Sequence, residues 1–322
     1  MSDLVDQVVR LAEERRYWHL GPLLTDLSAT DMEKFQKAWA RLTPVQRQDL
    51  VQTLVELAEE HPEYDFRSVF RWLLGDEDAE VRTLSIEGLW EDQSPALIGP
   101  LLHILQHDPD YRVRAAAAIA LGRFVLLSEL GEVNMSEVVP VLEALIHKVQ
   151  DTSEDIDVRR RALEAIAYVD EPHIRDLIEA AYYHHDTRMQ ASALFAMGRS
   201  ANTQWAPLVL AELESPEPEL RYEAALAAGE LELLDAIPIL RLLVEDEDMD
   251  VRLAAIEALG RIGGPEAERI LLHLADTGDE SVSLAAEEAL DELRFFRDLD
   301  DFPMFDFGDM DFIDIDLDDL ES

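Results

Sequence analysis

The sequence predicts an all-α protein: an α-α superhelix, or solenoid, of about seven helical hairpins, with a helical cap before them and an acidic tail after them. Three observations predict this fold. One motif returns seven times along the 322 residues, mostly at a spacing of 31. Within each copy, apolar and small residues recur at helical spacing. Apolar residues make up 48% of the chain, which is enough for a large core although no cysteine is present to cross-link it.

Residues 1–64 lie outside the repeat and are predicted to form a helical cap. Three helices are expected there, over 3–16, 28–42 and 43–60. The sequence Thr-Pro-Val-Gln at 43–46 is typical of a helix start, with threonine as the N-cap and proline in the first turn. We expect Trp18, Phe35 and Trp39 to pack against the first repeat, because an open repeat face would expose apolar surface.

Seven copies of the motif follow, each aligned on a slot that is mostly arginine. The slots are Arg82, Arg114, Arg159, Gln190, Arg221, Arg252 and Ser283, at separations of 32, 45, 31, 31, 31 and 31 residues. Each copy predicts the second helix of a hairpin, and another amphipathic segment precedes it, for example at 95–107, 236–244 and 266–274. Helices that each bury one stripe must stack on neighbouring pairs to form a core.

Four columns of residues around the slot indicate how each second helix is built. Four residues before the slot every copy is acidic, where a carboxylate would cap the N-terminus of the helix. One residue before the slot and seven after it the residue is apolar, and three after it the residue is serine or alanine. These offsets lie on one stripe of a helix, so we expect the stripe to be buried and neighbouring helices to approach closely.

The motif resembles a known repeat. The stretch at 246–260, with the pattern Asp-x-Asp-x-x-Val-Arg-x-x-Ala-x-x-Ala-Leu-Gly, is similar to the HEAT repeat of the phycobilisome-lyase type. The resemblance covers roughly 65–293 and implies a HEAT or armadillo-like solenoid domain over 65–294. The family includes adaptors, inhibitors, assembly factors and a few enzymes. The resemblance also implies that the slot arginines form a ladder of bonds to acids of the same or the adjacent repeat.

An insertion interrupts the regular spacing. The gap of 45 residues between Arg114 and Arg159 holds about 14 extra residues, near 124–137. We expect an enlarged loop between two repeats at this place. Insertions in solenoids tend to project from one face and can form binding elements. A partly apolar loop folded back on its own repeat is the alternative.

Residues 295–322 are predicted to form an acidic, aromatic tail. They contain 11 acidic residues against one arginine, and six of the 11 phenylalanines of the chain. Alternating acids and bulky apolar residues cannot form a core without burying charge, so the sequence predicts disorder. Phe305, Phe307 and Phe312 are candidate binding residues that would order on a basic, apolar groove. A solubilising tail and a tail docked on its own solenoid are the alternatives.

Two further columns, five and nine residues after the slot, point away from the buried stripe and would line the concave face of the superhelix. In the middle repeats they hold aromatic, aliphatic and arginine side chains, and aromatic residues and arginine are enriched in interface hot spots. The candidate protein-binding residues in these columns are Arg123, Tyr168, Phe195, Arg199 and Leu226. A solvated face without a partner is the alternative.

The charge balance limits the class of partner. With 27 basic and 70 acidic residues, the formal net charge is −43. Such a chain is unsuited to hold nucleic-acid phosphates or an anionic membrane, and a protein partner with a basic surface is predicted instead. The N-terminal sequence lacks the basic-then-apolar layout of a signal peptide, and no apolar run approaches 18 residues. A cytoplasmic, bacterial-type protein is therefore expected.

No catalytic pattern stands out, and the sequence predicts no enzyme activity, cofactor or metal site. None of the nine histidines is followed by glutamate, so the repeated His-Glu ligand pairs of deoxyhypusine hydroxylase are missing. His103 and His107 have a spacing that can bind a metal, but no third ligand is evident. The expected function is a non-catalytic scaffold or adaptor for a protein segment. A bilin or chromophore lyase subunit and an acidic nucleic-acid mimic are the alternatives.

Overall fold

The computed structural model describes residues 4–300, and every regular element in that range is helical. Four helices form the N-terminal cap: α1 Leu4–Glu13, α2 Gly21–Leu24, α3 Ala29–Trp39 and α4 Pro44–Glu60. Seven hairpins follow: α5 Arg67–Leu73 with α6 Ala79–Glu87, α7 Ile98–His107 with α8 Tyr111–Glu129, α9 Met135–Gln150 with α10 Ile156–Ile166, α11 Pro172–Tyr182 with α12 Thr187–Arg199, α13 Ala206–Glu212 with α14 Pro218–Glu230, α15 Ile237–Leu243 with α16 Met249–Ile262, and α17 Gly264–Ala275 with α18 Glu280–Asp300. The hairpins correspond to the seven copies of the motif.

The N-terminal cap is helical, as predicted. The capping box at Thr43 starts α4. Phe35 and Trp39 are buried against Trp72 of α5, with ring centroids 5.9 and 6.1 Å from that of Trp72. Trp18 differs from the prediction, because 52% of its surface is exposed. The cap therefore covers the first hairpin with aromatic side chains of α3 and with α4, which packs against α6.

The second helices of the hairpins form the inner layer of the solenoid. Each second helix packs against the second helix of the next hairpin, whereas the first helices of neighbouring hairpins hardly touch. Because the second helices lie closer together, the stack curves around them and they line the concave side. We call the second helices the inner helices and the first helices the outer helices.

The predicted buried stripe of the inner helices is confirmed. The small residues three positions after the slot, from Ser85 in α6 to Ala286 in α18, are all 0% exposed, and the apolar residues of the stripe are buried as well. Six of the seven acidic residues before the slot accept a backbone N–H at the start of their helix. Glu217 makes no such bond, because glutamate is one methylene longer than the aspartate that suits this position.

A glycine eight residues after the slot lets neighbouring inner helices touch near their C-terminal ends. A Cβ on Gly229 would lie 2.8 Å from Cα of Ala258 in the next inner helix, and one on Gly122 would lie 2.9 Å from Cα of Ala165. Carbon atoms do not approach this closely, so only glycine permits the observed separation. The same approach recurs at Gly198 and Gly260.

Three of the five slot arginines, Arg82, Arg114 and Arg221, form the hydrogen-bonded ladder that the resemblance implies. Arg82 donates two hydrogen bonds of 2.7 Å to Asp108, in the turn before the next inner helix. Arg221 donates in the same way to Asp246, at 2.9 and 2.8 Å. Each arginine also donates to a carbonyl oxygen of its own turn, at 2.9 and 2.8 Å respectively. One guanidinium group therefore ties together the turns of two hairpins.

A third bridge crosses the interface between α8 and α10. Arg114 and Lys148 both bind Glu154, each at 2.5 Å. Burial alone would raise the pKa of Glu154, but the hydrogen bonds from these two cations lower it to about 2. We call the interfaces α6–α8, α8–α10 and α14–α16 the bridged interfaces, because a slot arginine binds an acid of the next hairpin in each.

The prediction of an enlarged loop near 124–137 is wrong. Inner helix α8 continues to Glu129 and outer helix α9 begins at Met135, so only residues 130–134 connect them. Phe124, Val125 and Leu127 are buried. The extra residues therefore continue the amphipathic pattern of α8 and lengthen the helices instead of the loop.

The first residues of the predicted tail at 295–322 are helical. Helix α18 continues to Asp300, because its helical pattern extends past the last repeat position. Residues 301–322 lie outside the described residues, and so do the candidate binding residues Phe305, Phe307 and Phe312.

Candidate protein-binding cleft

A cleft of about 1020 Å³ runs along the C-terminal ends of the inner helices, from α10 to α18. The residues nine positions after the slot supply its aromatic and charged walls: Tyr168, Arg199, Glu230, Arg261 and Glu292. The loop and first turn of α17, including Pro265, line it as well. Because five hairpins contribute side chains, the cleft exists only when the hairpins are stacked.

The glycines that draw the inner helices together also shape this cleft. Gly198, Gly229 and Gly260 line it, each immediately before a wall residue. A glycine has no side chain to fill the space beside its neighbour. The floor of the cleft is therefore backbone, and the walls are long side chains from successive helices.

Glu230 links two arginines along the cleft. Its Oε1 lies 3.1 Å from a guanidinium nitrogen of Arg199 and 3.4 Å from one of Arg261, so one carboxylate connects three successive inner helices. Burial raises the pKa of Glu230, although both arginines oppose that shift. The arginine side chains are 40% and 35% exposed, so they can exchange these contacts for bonds to a ligand.

The predicted residues of the middle repeats lie in the cleft or next to it. Tyr168 and Arg199 line it. Phe195 lies one turn earlier on α12 and is half-buried, with the Arg199 guanidinium 5.2 Å from its ring centroid. Leu226 lies one turn before Glu230 on α14 and is also half-buried. The column pattern in the sequence therefore located this surface.

The structure uses Arg123 differently from the prediction. Its guanidinium donates to the carbonyl oxygens of Leu89 and Asp92, at 3.0 and 2.9 Å, in the segment that follows α6. Burial lowers the pKa of Arg123. The side chain also lies over the ring of Phe124, 5.2 Å from its centroid. Arg123 thus binds carbonyl groups beyond the end of a helix through both terminal nitrogens, whereas its Nε is buried without a hydrogen-bond partner in the described structure.

Glu223 is a residue of the inner surface that sequence reasoning missed. It lies on α14, and within the described structure its Oε2 is buried without a hydrogen-bond partner. Burial, with the carboxylates of Glu164 and Glu219, raises its pKa to about 7. Glu164 in turn accepts a hydrogen bond of 2.5 Å from Ser192 of α12. The one feature of the sequence that could have identified Glu223 is its position two residues after the slot, where a charged residue lies beside the buried stripe.

Apart from the cleft, the described residues show neither a metal site nor a membrane-spanning helix. Within residues 4–300, no group of three or more histidine, aspartate and glutamate side chains is arranged to hold a metal ion. The rings of His103 and His107 stack on each other, with centroids 4.7 Å apart. None of the helices described is both long and apolar enough to cross a membrane.

The stacked hairpins define an α-solenoid with an open cleft on its inner helices. A family model for HEAT repeats matches residues 67–152 and 206–291, which together are more than half of the chain. The chain belongs to the HEAT-repeat family, which confirms the resemblance found in its sequence. The matched ranges leave out residues 153–205, which contain α10, α11 and α12. No curated protein matches the chain in sequence.

Several solved structures are similar to the chain. Human deoxyhypusine hydroxylase in complex with glycerol is 20% identical, with 89% of this chain and 98% of that chain covered and a TM-score of 0.37. The complex of CpcE and CpcF of phycocyanin lyase from Nostoc sp. PCC7120 is 20% identical over 70% of this chain and 94% of that chain, with a TM-score of 0.47. The Kap95:Nup1 complex is 14% identical over 79% of this chain and 39% of that chain, with a TM-score of 0.47.

These similarities concern the fold alone, but they correct one expectation. The prediction of no enzyme activity, made because no catalytic pattern stands out in the sequence, is contradicted, because a hydroxylase and a lyase are among the similar structures. A HEAT architecture therefore does not exclude catalysis. The prediction of an all-α HEAT solenoid is confirmed.

Proposed function

We propose that the protein is a scaffold that binds an extended segment of a partner protein in its inner cleft. The observation that carries the proposal is the cleft itself, about 1020 Å³ in volume and lined by five successive inner helices. A concave site of this size buries most of the surface of its ligand. Tyrosine and arginine, which stand on its walls, contribute strongly to protein interfaces. A segment lying along the solenoid would contact the wall residues in turn.

The partner segment is proposed to be basic. Four glutamates line the cleft against two arginines: Glu230, Glu232, Glu268 and Glu292. The net charge of −43 attracts a cationic partner from a distance, and salt screens this attraction. The acidic tail at 295–322 is proposed to engage a basic surface of the same partner or to regulate the cleft. Its own charge suits a basic partner better than this acidic cleft.

Site-specific photocrosslinking tests the proposed function. p-Benzoylphenylalanine replaces Tyr168 in the cleft, and in the matched control it replaces Leu242, which is 65% exposed on outer helix α15. Irradiation in the host cells is expected to give a protein adduct at position 168 in several-fold higher yield than at position 242. The yield at position 168 should fall when the lysate is irradiated at higher salt, because salt weakens attraction to a basic segment.

The outcome separates the site from the charge of its partner. Equal yields at the two positions would contradict binding in the cleft. Mass spectrometry of the adduct then identifies the crosslinked peptide. A basic peptide supports the charge assignment, whereas an acidic or neutral peptide overturns that assignment and leaves the cleft as the binding site.

A further inference from the structure

The interface between α10 and α12 lacks the acid that completes the bridged interfaces. In those interfaces the bridging aspartate also accepts the backbone N–H of the residue two positions later, as Asp108 and Asp246 both do at 2.9 Å. In the turn before α12 the same position is His184, whose Nδ1 accepts the N–H of Asp186 at 3.1 Å. A histidine therefore stands where the bridging acid would be.

The slot arginine of α10 faces this histidine. Arg159 donates from Nε to the carbonyl oxygen of Val149 in its own hairpin, at 3.2 Å. Burial, the neighbouring His185 and the charge of Arg159 lower the pKa of His184, and Asp186 opposes them. A neutral histidine cannot replace the two carboxylate oxygens that a guanidinium group binds in the bridged interfaces. The arginine thus makes no bidentate bridge to His184.

The packing of the two helices is also looser. Ala167 occupies the position, eight residues after the slot, where Gly122 and Gly229 allow contact with the next inner helix. Because alanine carries a Cβ, the helices cannot approach as closely at this position. The contact between α10 and α12 is accordingly smaller than the contacts α8–α10 and α12–α14 on either side of it.

The polar contacts that cross between these two hairpins are single and mostly exposed, among them Asn202 with Asp170 and Gln150 with His173, each at 3.2 Å. Ser192 donates to Glu164 at 2.5 Å on the inner face. Arg188 and Asp157 form an ion pair of 3.4 Å between side chains that are 45% and 29% exposed. Exposed pairs contribute little to stability. The interface therefore lacks both the buried bridge that holds α8–α10 and the close helix contact found at α8–α10 and at α12–α14.

We propose that the α10–α12 interface is a hinge at which the solenoid bends, and that the bending changes the width of the cleft. Tyr168 follows α10 and Arg199 ends α12, so two walls of the cleft lie on opposite sides of the hinge. Solenoid hairpins contact only their neighbours, so one weak interface allows the two halves to move as separate bodies. The hinge itself does not depend on what the cleft binds. Its use to admit a partner segment rests on the proposed function.

Distances between spin labels test the hinge, and the chain has no cysteine that would interfere with labelling. One pair of cysteines replaces Glu143 of α9 and Asp176 of α11, which lie on either side of the hinge. The control pair replaces Ala211 of α13 and Arg241 of α15, on either side of a bridged interface. All four positions are exposed. Double electron–electron resonance on the full chain is expected to give a distance distribution about twofold wider for the hinge pair.

An acid introduced at position 184 should remove the difference in width between the hinge pair and the control pair. His184→Asp is expected to form a bridge with Arg159 and to narrow the hinge distribution to the width of the control. His184→Asn, which has the size of aspartate without its charge, should leave the distribution wide. Circular dichroism checks that both variants are folded.

Two results would overturn the hinge. The first is a distance distribution of equal width for the hinge pair and the control pair when His184 is retained. The second is a hinge distribution that His184→Asp does not narrow. The photocrosslinking experiment is scored separately. A wide hinge distribution without any adduct at position 168 would contradict the proposed function and leave the hinge in place.

Discussion

The bridged interfaces and the middle of the solenoid use the same hairpin but are held together differently. In the bridged interfaces a slot arginine binds an acid of the next hairpin with two hydrogen bonds. In the middle, the corresponding pairs are Arg159 with His184 and Gln190 with Ser215. The two ranges that the HEAT family model matches lie on either side of this middle. The α10–α12 interface, which lacks a bridge, lies within the segment that the family model leaves out.

This difference indicates that stability and binding surface are placed in different hairpins. A bidentate bridge fixes the position of one hairpin on the next. The middle hairpins lack that constraint and instead carry Tyr168, Phe195 and Arg199 at or beside the cleft. Segments that bind ligands are commonly drawn from the less stable parts of a protein. Four variants test this comparison.

Removal of a bridging acid should have the largest effect. Asp108→Ala leaves Arg82, which is 8% exposed, without its carboxylate partner. An uncompensated buried charge costs about 3 kcal/mol, and we expect the free energy of unfolding in urea to fall by that amount. Glu80→Ala is the matched control, because Glu80 crosses the same interface to Arg112 at 3.8 Å with both side chains about half exposed. Similar losses in both variants would contradict the special role of the bridge.

Closing the glycine contact should have the next largest effect. Gly229→Ala places a Cβ 2.8 Å from the Ala258 backbone, so the two inner helices must separate. Overpacking of this kind costs about 2 kcal/mol. Thermal unfolding measures the loss. Gly99→Ala in α7 is the control, since no atom lies within 4 Å of its added Cβ, and it should gain about 0.5 kcal/mol from helix propensity. An unchanged melting temperature for Gly229→Ala would show that the helices adjust freely.

Glu223 should give the inner surface a pH dependence of unusual sign. Burial and neighbouring carboxylates raise its pKa from 4.5 to about 7, so the folded state keeps a proton that the unfolded chain releases between these values. The contribution of this group to stability is therefore fully present below pH 4.5 and is lost as the pH rises through 7. Glu223→Gln should change the free energy of unfolding little below pH 4.5. At pH 8 the full pKa shift corresponds to about 3 kcal/mol, but the glutamine amide is itself a buried polar group, so we expect a gain of about 1.5 kcal/mol.

Urea unfolding at pH 4 and pH 8 measures this effect. Glu214→Gln, at an exposed position of the turn before α14, is the control and should show no difference between the two conditions. If Glu223→Gln has the same stability as the unmodified protein at pH 8, the carboxylate is compensated by a group that the structure does not place beside it.

An arginine–aspartate bridge introduced between α12 and α14 should have the smallest effect on stability. Gln190→Arg combined with Ser215→Asp places a slot arginine opposite an acid, as in the bridged interfaces, and should add about 1 kcal/mol to the free energy of unfolding. The two single variants complete a double-mutant cycle in urea. A coupling free energy near zero would mean that the side chains at positions 190 and 215 are too far apart to form a bridge.

Much of the fold could be predicted because it depends on residues within one helix or turn. The phase of the repeat, the stripe that contains Ser85 and Ala286, and the capping box at Thr43 are all local patterns. Helical periodicity and N-terminal caps follow from hydrogen bonds and side-chain directions that span four residues or fewer. The column of residues that lines the cleft was also found from its offset to the buried stripe.

The remaining features depend on contacts between hairpins, which no local pattern contains. Arg123 occupies a predicted binding position, but both terminal nitrogens of its guanidinium group donate to carbonyl groups of the preceding hairpin. Glu223 is unpartnered because stacking places it beside Glu164. The sequence by itself thus determined the helices and their buried faces. Only the tertiary structure decided which charges find partners, because a partner in the next hairpin is set by how closely two helices approach.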